Sequence, residues 1–265
     1  MTELHIVVCM KVTPKPEEIR VDPTSHMLNR SDVRSEINPP DMNALEFALL
    51  IKDRRAARID ILSMGPVFAD NILRVGLAMG ADHVYLLSDK EFAGADTLAT
   101  TYTLAKGIEK IGPVDLIICG EESSDGATGQ VPAGIAEWLG ISQLTQIDQL
   151  EIRPESQIAR GRRPIQGGFQ VWEVSLPAVA SIKVASNEPR FMDYRIKEES
   201  YSPGRLTIWT RHDLPVDESQ IGLTGSPTRV SGLAEAPTRD RKQEQITGTN
   251  EEIAQKLASI ITNIV

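Results

Sequence analysis

The sequence predicts an α/β fold: a Rossmann-like parallel sheet with flanking helices, an antiparallel β meander, and an extended C-terminal arm ending in a helix. Three observations predict it. Short, continuous, β-branched runs alternate with segments of helical apolar spacing up to about residue 140, the pattern of parallel β-α-β units. From Ile147 the runs become short and alternating, broken by Pro154-Glu155, Gln166-Gly167-Gly168 and Leu176-Pro177, as in a meander. Beyond Arg190 the chain is rich in Pro, Gly, Ser, Thr and charge until EEIAQKLASIITNI near its end.

Taken in order, Leu4 to Met10 (LHIVVCM) is a continuous apolar run expected at the centre of a parallel sheet. Lys11 to Pro40 holds five prolines and no period, and reads as a long excursion with one short hairpin, Ile19-Arg20-Val21 against Met27-Leu28-Asn29. A loop of that length usually has a function. Met42 to Arg55 places Ala44, Leu45, Phe47, Ala48 and Ile51 at helical spacing, with Asp41 as the expected N-cap. A strand follows at Ile59–Met64, then a helix from Ala69 to Met79 closed by Gly80, a strand at His83–Leu87, and a helix from Thr97 to Ile111 started by Asp96.

The stretch Val114 to Leu139 organises the rest. Asp115 to Cys119 is a buried-strand run ending at Gly120, and Glu121 to Val131 is a loop of small or acidic residues. The next helix carries Pro132 in its first turn, where a missing N–H costs nothing. Strand, glycine-bearing loop and helix start together present backbone N–H groups and the positive end of a helix dipole, which suits a phosphate. An ordinary strand-to-helix connection has the same outline. The loop matches neither G-x-G-x-x-G nor the Walker A pattern and has no lysine, so a nucleotide here is expected to be bound without phosphoryl transfer. In a parallel sheet the ligand crevice lies beyond the carboxyl ends of the strands. Cys9, Asn38 to Asp41, Met64 to Pro66 and Gly120 to Gln130 fall on that rim.

After Ile147 the expected meander strands are Ile147–Ile152, Gln157–Arg163, Phe169–Ser175 and Ala178–Val184, with Trp172 read as core packing. Ser186 to Arg190 is a turn. Phe191 to Gln245 shows no defensible period and is expected to build no core of its own. Ile253, Leu257, Ile260, Ile261 and Ile264 lie on one face of a final helix, suited either to a partner or to packing back on its own domain. The reading divides the chain into a nucleotide-binding domain over 1–190 and an arm over 191–265.

Composition narrows the function. The 265 residues are 41% hydrophobic and 25% charged, ordinary for a soluble domain. A net charge of −9 argues against nucleic acid, since no basic face can neutralise phosphates. No run approaches 18 apolar residues and Glu3 stands where a signal peptide wants basic residues, so a cytoplasmic, non-membrane-spanning protein is expected. Cys9 and Cys119 are the two cysteines and four histidines are scattered. No metal set, disulfide or hydrolytic nucleophile is expected, and no catalytic acid or base stands out.

The residues as a set resemble the β subunit of electron-transfer flavoproteins. The likeness runs through the first strand with Lys11, Val21-Asp22-Pro23, Asn38-Pro39-x-Asp41 with Ala44-Leu45-Glu46, and Leu77-Ala78-Met79-Gly80-Ala81-Asp82. It continues in Asp125-Gly126-x-Thr128-Gly129-Gln130-Val131, Gly167-Gly168, Leu176-Pro177-Ala178-Val179 and Asn187-Glu188-Pro189-Arg190. The resemblance implies a heterodimer with an α subunit that carries most contacts to a redox-active FAD. It also implies a β-side nucleotide: AMP in simple carriers, or a second FAD in the electron-bifurcating branch that oxidises NADH. By position, the cofactor residues would be Cys9, Asn38, Pro39, Pro40, Asp41, Met64, Gly120, Glu121, Glu122, Ser123, Ser124, Asp125, Gly126, Ala127, Thr128, Gly129, Gln130 and Val131. The compact loop resembles the bifurcating branch, although Ala127 stands where that branch usually carries a second aspartate. A recognition loop for a partner dehydrogenase would follow Arg190, with Phe191, Met192 and Tyr194 as partner-binding residues and Tyr194 as its anchor; the spelling here departs from the usual leucine or methionine.

Three functions are therefore expected candidates. In the first, NADH reduces a β-bound FAD, and electrons pass to the α-subunit FAD with an acyl-CoA or other flavin dehydrogenase, and to a low-potential acceptor such as ferredoxin or flavodoxin. In the second, a one-electron carrier holds structural AMP in the same crevice. The third is a nucleotide-sensing domain of the universal-stress type, against which the meander and the long arm count.

Overall fold

The computed structural model describes residues 3–15, 20–21, 28–29, 34–184, 186–229 and 245–262. Two compact units divide it, Met1–Gly232 and Leu233–Val265. In the first unit β1 (Leu4–Cys9) is followed by β2 (Val12–Pro14), β3 (Arg20–Val21), β4 (Leu28–Asn29), β5 (Ser35–Ile37) and α1 (Pro39–Lys52). Next come β6 (Ala57–Met64), α2 (Ala69–Met79), β7 (His83–Leu87), α3 (Thr97–Ile111), β8 (Leu116–Gly120) and α4 (Val131–Leu139). The remainder is β9 (Ser142–Ile147), β10 (Gln149–Arg153), β11 (Ile158–Ile165), β12 (Gly168–Ser175), β13 (Ala178–Ile182), α5 (Tyr194–Glu199) and β14 (Leu206–Trp209). The second unit contributes α6 (Asn250–Thr262); residues 230–244 and 263–265, with the rest of the expected arm and the end of its helix, lie outside the described residues.

Seven parallel strands form the main sheet in the order β14-β7-β6-β1-β8-β13-β9. Its central strands are buried on both faces, as their unbroken apolar spelling requires. On one face Ile6, Val8, Ile59, Ile61 and Ile118 pack with Leu45, Leu49, Leu73 and Leu77 of α1 and α2. On the other, Val7, Leu62, Ile117 and Val179 pack with Tyr102, Ile108 and Ile135 of α3 and α4. The chain builds outward from β1 through β6 and β7, then returns to place β8 on the other side of β1. That reversal is the topological switch point.

The helices and main-sheet strands up to residue 139 stand where the sequence puts them, and Arg20–Val21 pairs antiparallel with Leu28–Asn29 as expected, Ile19 and Met27 lying outside the described residues; β2 and β5, which pair antiparallel, were not expected. Asp96 caps α3 by accepting from the Ala99 N–H at 3.1 Å. Asp41 is not the cap of α1: Asn38 holds that place, and Asp41 lies in the first turn with its carboxylate turned into the protein.

Three readings change. The antiparallel sheet has three strands, β10-β11-β12; the fourth expected strand, β13, lies between β8 and β9 in the parallel sheet with all five residues buried. Its spelling AVASI is a continuous run of small residues, which suits a strand covered on both faces better than a meander. Residues 191–229, expected to build no core, belong to the first compact unit. There β14 pairs with β7, Trp209 stacks on Tyr85 at 4.4 Å, and Leu214 and Ile221 are buried. Trp172 is 53% exposed on β12 and is not a core residue.

The turn at 186–190 is fastened to α1. Asn43 Nδ2 donates to the Asn187 carbonyl at 2.8 Å, Asn187 Nδ2 donates back to the Asn43 carbonyl at 3.0 Å, and Arg190 reaches Glu46 and Asp53. These contacts hold the end of β13, and with it the neighbouring β8, against the first turns of α1.

Candidate functional site

At the carboxyl ends of β1, β6 and β8 a cavity of about 470 Å³ opens over the switch point, a size usual for small-molecule sites. α1, α3 and α4 all begin around it, because a right-handed crossover returns each helix from the rim its strand reaches. Leu62, Met64, Phe92, Leu104 and Val131 give it apolar walls. Ser123, Thr97, Thr100, Thr128 and Lys11 add polar groups, while Gly94, Gly120, Gly126 and Gly129 bare the backbone.

The rim is held by two buried side chains. Asp41, 6% exposed, accepts from the Lys11 N–H at 2.7 Å through one oxygen and from the Gly120 N–H at 3.2 Å through the other. It thereby ties the ends of β1 and β8 to the start of α1. Burial pushes its carboxyl up to about 7, outweighing those donors. Asn38, 1% exposed, donates to the Glu122 carbonyl at 2.8 Å and accepts from the Ser124 N–H at 3.0 Å. A single amide thus fixes both sides of the loop after β8. A side chain at 120 would not fit: a Cβ there would stand 2.4 Å from Asp41 Oδ1 and 2.7 Å from the Pro40 backbone. Glycine at this position is what lets α1 approach the end of β8.

Lys11 Nζ meets Asp125 Oδ1 at 2.6 Å and closes the loop from outside. Burial works to raise the Asp125 carboxyl, and Lys11 outweighs it and holds the group below its ordinary value. Ser124 Oγ donates to Thr13 Oγ1 at 3.1 Å, and the Ala127 N–H donates to the Ser123 carbonyl at 2.8 Å. Ala127 has φ +47°, a left-handed conformation that asparagine and aspartate adopt more readily than alanine. Across the opening, Thr97 Oγ1 donates to Thr128 Oγ1 at 3.3 Å. Asp96 accepts from the Thr228 N–H at 3.0 Å and its hydroxyl at 2.7 Å, which brings residue 228 to the same wall.

Of the residues expected at this site, Cys9, Asn38, Asp41, Met64, Gly120, Glu122, Ser123, Gly126, Thr128, Gly129 and Val131 line the cavity. Pro39, Pro40, Glu121, Ser124, Asp125, Ala127 and Gln130 stand outside its wall. Glu121 turns to the end of β13, accepting from Lys183 at 3.1 Å and from the Val184 N–H at 2.8 Å. Pro40 supports Gly120, and Ala127 and Gln130 face solvent. Sequence reasoning missed Lys11, residues 94–97 and Thr100 on the α3 side, and Thr228. The α3 side had a signal, since a helix following a parallel strand starts at the carboxyl rim; Thr228 lies 132 residues beyond its partner Asp96 and had none. Among the expected partner residues, Phe191 and Tyr194 are 97% and 74% exposed. Met192 instead packs against the core.

Cys9 and Cys119 are register partners on β1 and β8, and both are buried as expected. Among the described residues no group of three or more His, Cys, Asp or Glu could hold a metal ion, and no helix is long and apolar enough to cross a membrane.

Comparison with known proteins agrees with this architecture. Residues 26–205 match the electron transfer flavoprotein domain. The chain is 39% identical over 254 residues to an electron transfer flavoprotein subunit beta of Thermoanaerobacterium thermosaccharolyticum, covering 96% of each chain. It is 41% identical over 227 residues to the subunit of the same name from Clostridium acetobutylicum, covering 86% of each. With the caffeyl-CoA reductase-Etf complex subunit CarD of Acetobacterium woodii it shares 39% identity over 258 residues and 97% of each chain.

Proposed function

The chain belongs to the electron transfer flavoprotein family, as a β-subunit member with a role in electron transfer, and from that premise we propose that it pairs with an α subunit and binds FAD in the cavity between β1 and β8. In this reading the heterodimer accepts electrons from NADH. It passes or divides them between the α-subunit FAD with its partner dehydrogenase and a low-potential acceptor of the ferredoxin or flavodoxin class. The relative named for a caffeyl-CoA reductase complex supports a partner enzyme acting on acyl-CoA compounds. We assign a partner dehydrogenase to Phe191 and Tyr194, and assign the α subunit to two separate surfaces, the exposed Phe169, Val171 and Trp172 of β12 and the apolar face of α6; we place the protein in the cytoplasm.

The observation that carries the nucleotide reading is the convergence of three helix starts, bared glycine backbone and a lysine on one apolar-walled cavity at the switch point. That combination fits an adenylate: flat apolar walls for a base, hydroxyls for a ribose, and N–H groups with a cation for phosphate. FAD, when bound, supplies the hydride and one-electron chemistry. The protein's share is to bind and orient. Asn38 and Asp41 act on the loop and strand ends, so their part is positioning, and the contacts to a ligand fall to Lys11, Thr97, Thr100, Thr128 and the backbone of Gly126 and Gly129.

AMP in the same cavity, with simple electron carriage, is the second reading, and the missing carboxylate at 127 favours it. The exposed position of Ala127 outside the cavity wall counts for FAD. Nucleotide extraction from the heterodimer separates them: two FAD per dimer is expected, and one FAD with one AMP would replace the first reading by the second. Ala127→Asp is expected to leave the nucleotide identity unchanged.

A further inference from the structure

The floor of the cavity carries a chemistry that nucleotide binding does not use. Cys9 and Cys119 are the two cysteines of the chain. They stand side by side at the last turns of β1 and β8, and register partners on parallel strands point to the same face of the sheet. Both line the cavity, and both are nearly buried, at 7% and 4% exposure. We propose that Cys9 and Cys119 form a vicinal dithiol site for a neutral trivalent arsenic(III) ligand, placed so that a bound nucleotide covers it. The second half of that statement rests on the nucleotide reading of the cavity; the first half does not.

Geometry and electrostatics select this ligand class. Register partners on neighbouring strands, about 4.8 Å apart, hold their two sulfurs within reach of one bridging atom. A cation that needs three or four protein ligands finds no such set among the described residues. The neighbouring Cys9 thiol, burial and the nearby Asp41 carboxylate push the Cys119 thiol well above its ordinary pKa. An anionic bis-thiolate complex is disfavoured in such a place. Arsenic(III) avoids the charge: an aryl arsonous acid condenses with two thiols, two As–O bonds giving way to two As–S bonds. The thiol protons leave in two waters, and arsenic keeps its oxidation state. Reactants and product are neutral, and the cavity has room for the aryl group.

The test uses the full chain and phenylarsine oxide. One phenylarsenic per chain is expected by intact mass, resistant to 2-mercaptoethanol and released by 2,3-dimercaptopropanol. Titration after unfolding should find both thiols before treatment and neither after it. Cys9→Ser and Cys119→Ser, checked for native circular dichroism, should each lose the monothiol-resistant adduct. The mass and thiol titration on the unmodified sequence decide the matter even if a serine variant fails to fold. An adduct stripped by monothiol, retained in either folded variant, or not formed would overturn the dithiol site. FAD or AMP, whichever equilibrium dialysis shows to bind, should slow labelling about tenfold at ten times its Kd. Binding without slowing would overturn the covering of the pair. Adduct formation with neither nucleotide bound would uphold the dithiol and remove the nucleotide reading.

Discussion

The rim around β1 and β8 and the hairpin sheet β10–β12 are both made from strand ends and turns, yet they treat their surfaces in opposite ways. At the rim, the polar side chains of Asn38 and Asp41 are buried and bound at both ends to backbone groups, and the chain borders a concave cavity. On β12, Phe169, Val171 and Trp172 are 62%, 43% and 53% exposed on the edge strand of a three-stranded sheet. A surface held rigid by internal hydrogen bonds suits a small ligand. Apolar residues left on an edge strand suit another protein. On the proposed function the difference assigns nucleotide placement and subunit pairing to different parts of one chain, and single substitutions should separate them.

The largest contrast is expected from one substitution made twice. Gly120→Ala forces a Cβ against Asp41 and the Pro40 backbone and should cost about 1–3 kcal/mol or more in urea unfolding, with loss of bound nucleotide. Gly168→Ala at the start of β12 meets nothing within 4 Å and should stay within about 0.5 kcal/mol. Equal effects at the two sites would erase the distinction between a packed rim and an open hairpin.

Asp41→Asn comes next. Asparagine offers one oxygen where Asp41 uses two, so one backbone N–H is left facing an amide N–H, at a cost of about 1–3 kcal/mol. The pH dependence sharpens this. Asp41 titrates near 7 folded against 3.8 ordinarily, so between those values the folded state binds more protons and stability falls as pH rises. His5, raised by its hydrogen bond to Asp60, adds stability that is full below 6.5 and is also lost as pH rises through its folded value. The variant should therefore flatten most of the slope between pH 4 and 7 and keep the His5 part above it. Urea melts from pH 4 to well above pH 7 check both.

Much of this contrast is legible in the residues alone. The rim could be read because parallel-strand runs are continuous and helix starts are marked by proline and aspartate. What those side chains do there could not: Asn38 and Asp41 read as ligand contacts, whereas each is engaged with backbone groups about 80 residues away. β13 was misplaced because a short run of small residues does not declare whether it is covered on one face or two. β14 and Thr228 were invisible, since four edge residues and a single threonine carry no period. The Asn187 to Arg190 motif was legible as a pattern, and its physical reason, the clamp on α1, needed the fold.

On the hairpin side, Trp172→Ser should change the stability of the isolated chain by no more than about 0.5 kcal/mol while weakening capture by the α subunit in a pull-down. A large loss of stability without change in capture would show that the exposed face serves the fold. An effect of opposite sign is expected at Ala127, whose left-handed backbone favours glycine: Ala127→Gly should stabilise the chain by about 1 kcal/mol and leave the hairpin untouched.

The claim that the cavity between β1 and β8 holds an adenine nucleotide is tested most directly by photolabelling the full chain with 8-azido-adenylate and mapping the modified peptides. Labels within Cys9–Lys11, Asp96–Thr100 and Gly126–Val131, suppressed by unlabelled FAD or AMP, are the expected result. Labelling confined to Ile158–Ser175, or unchanged by excess nucleotide, would contradict it.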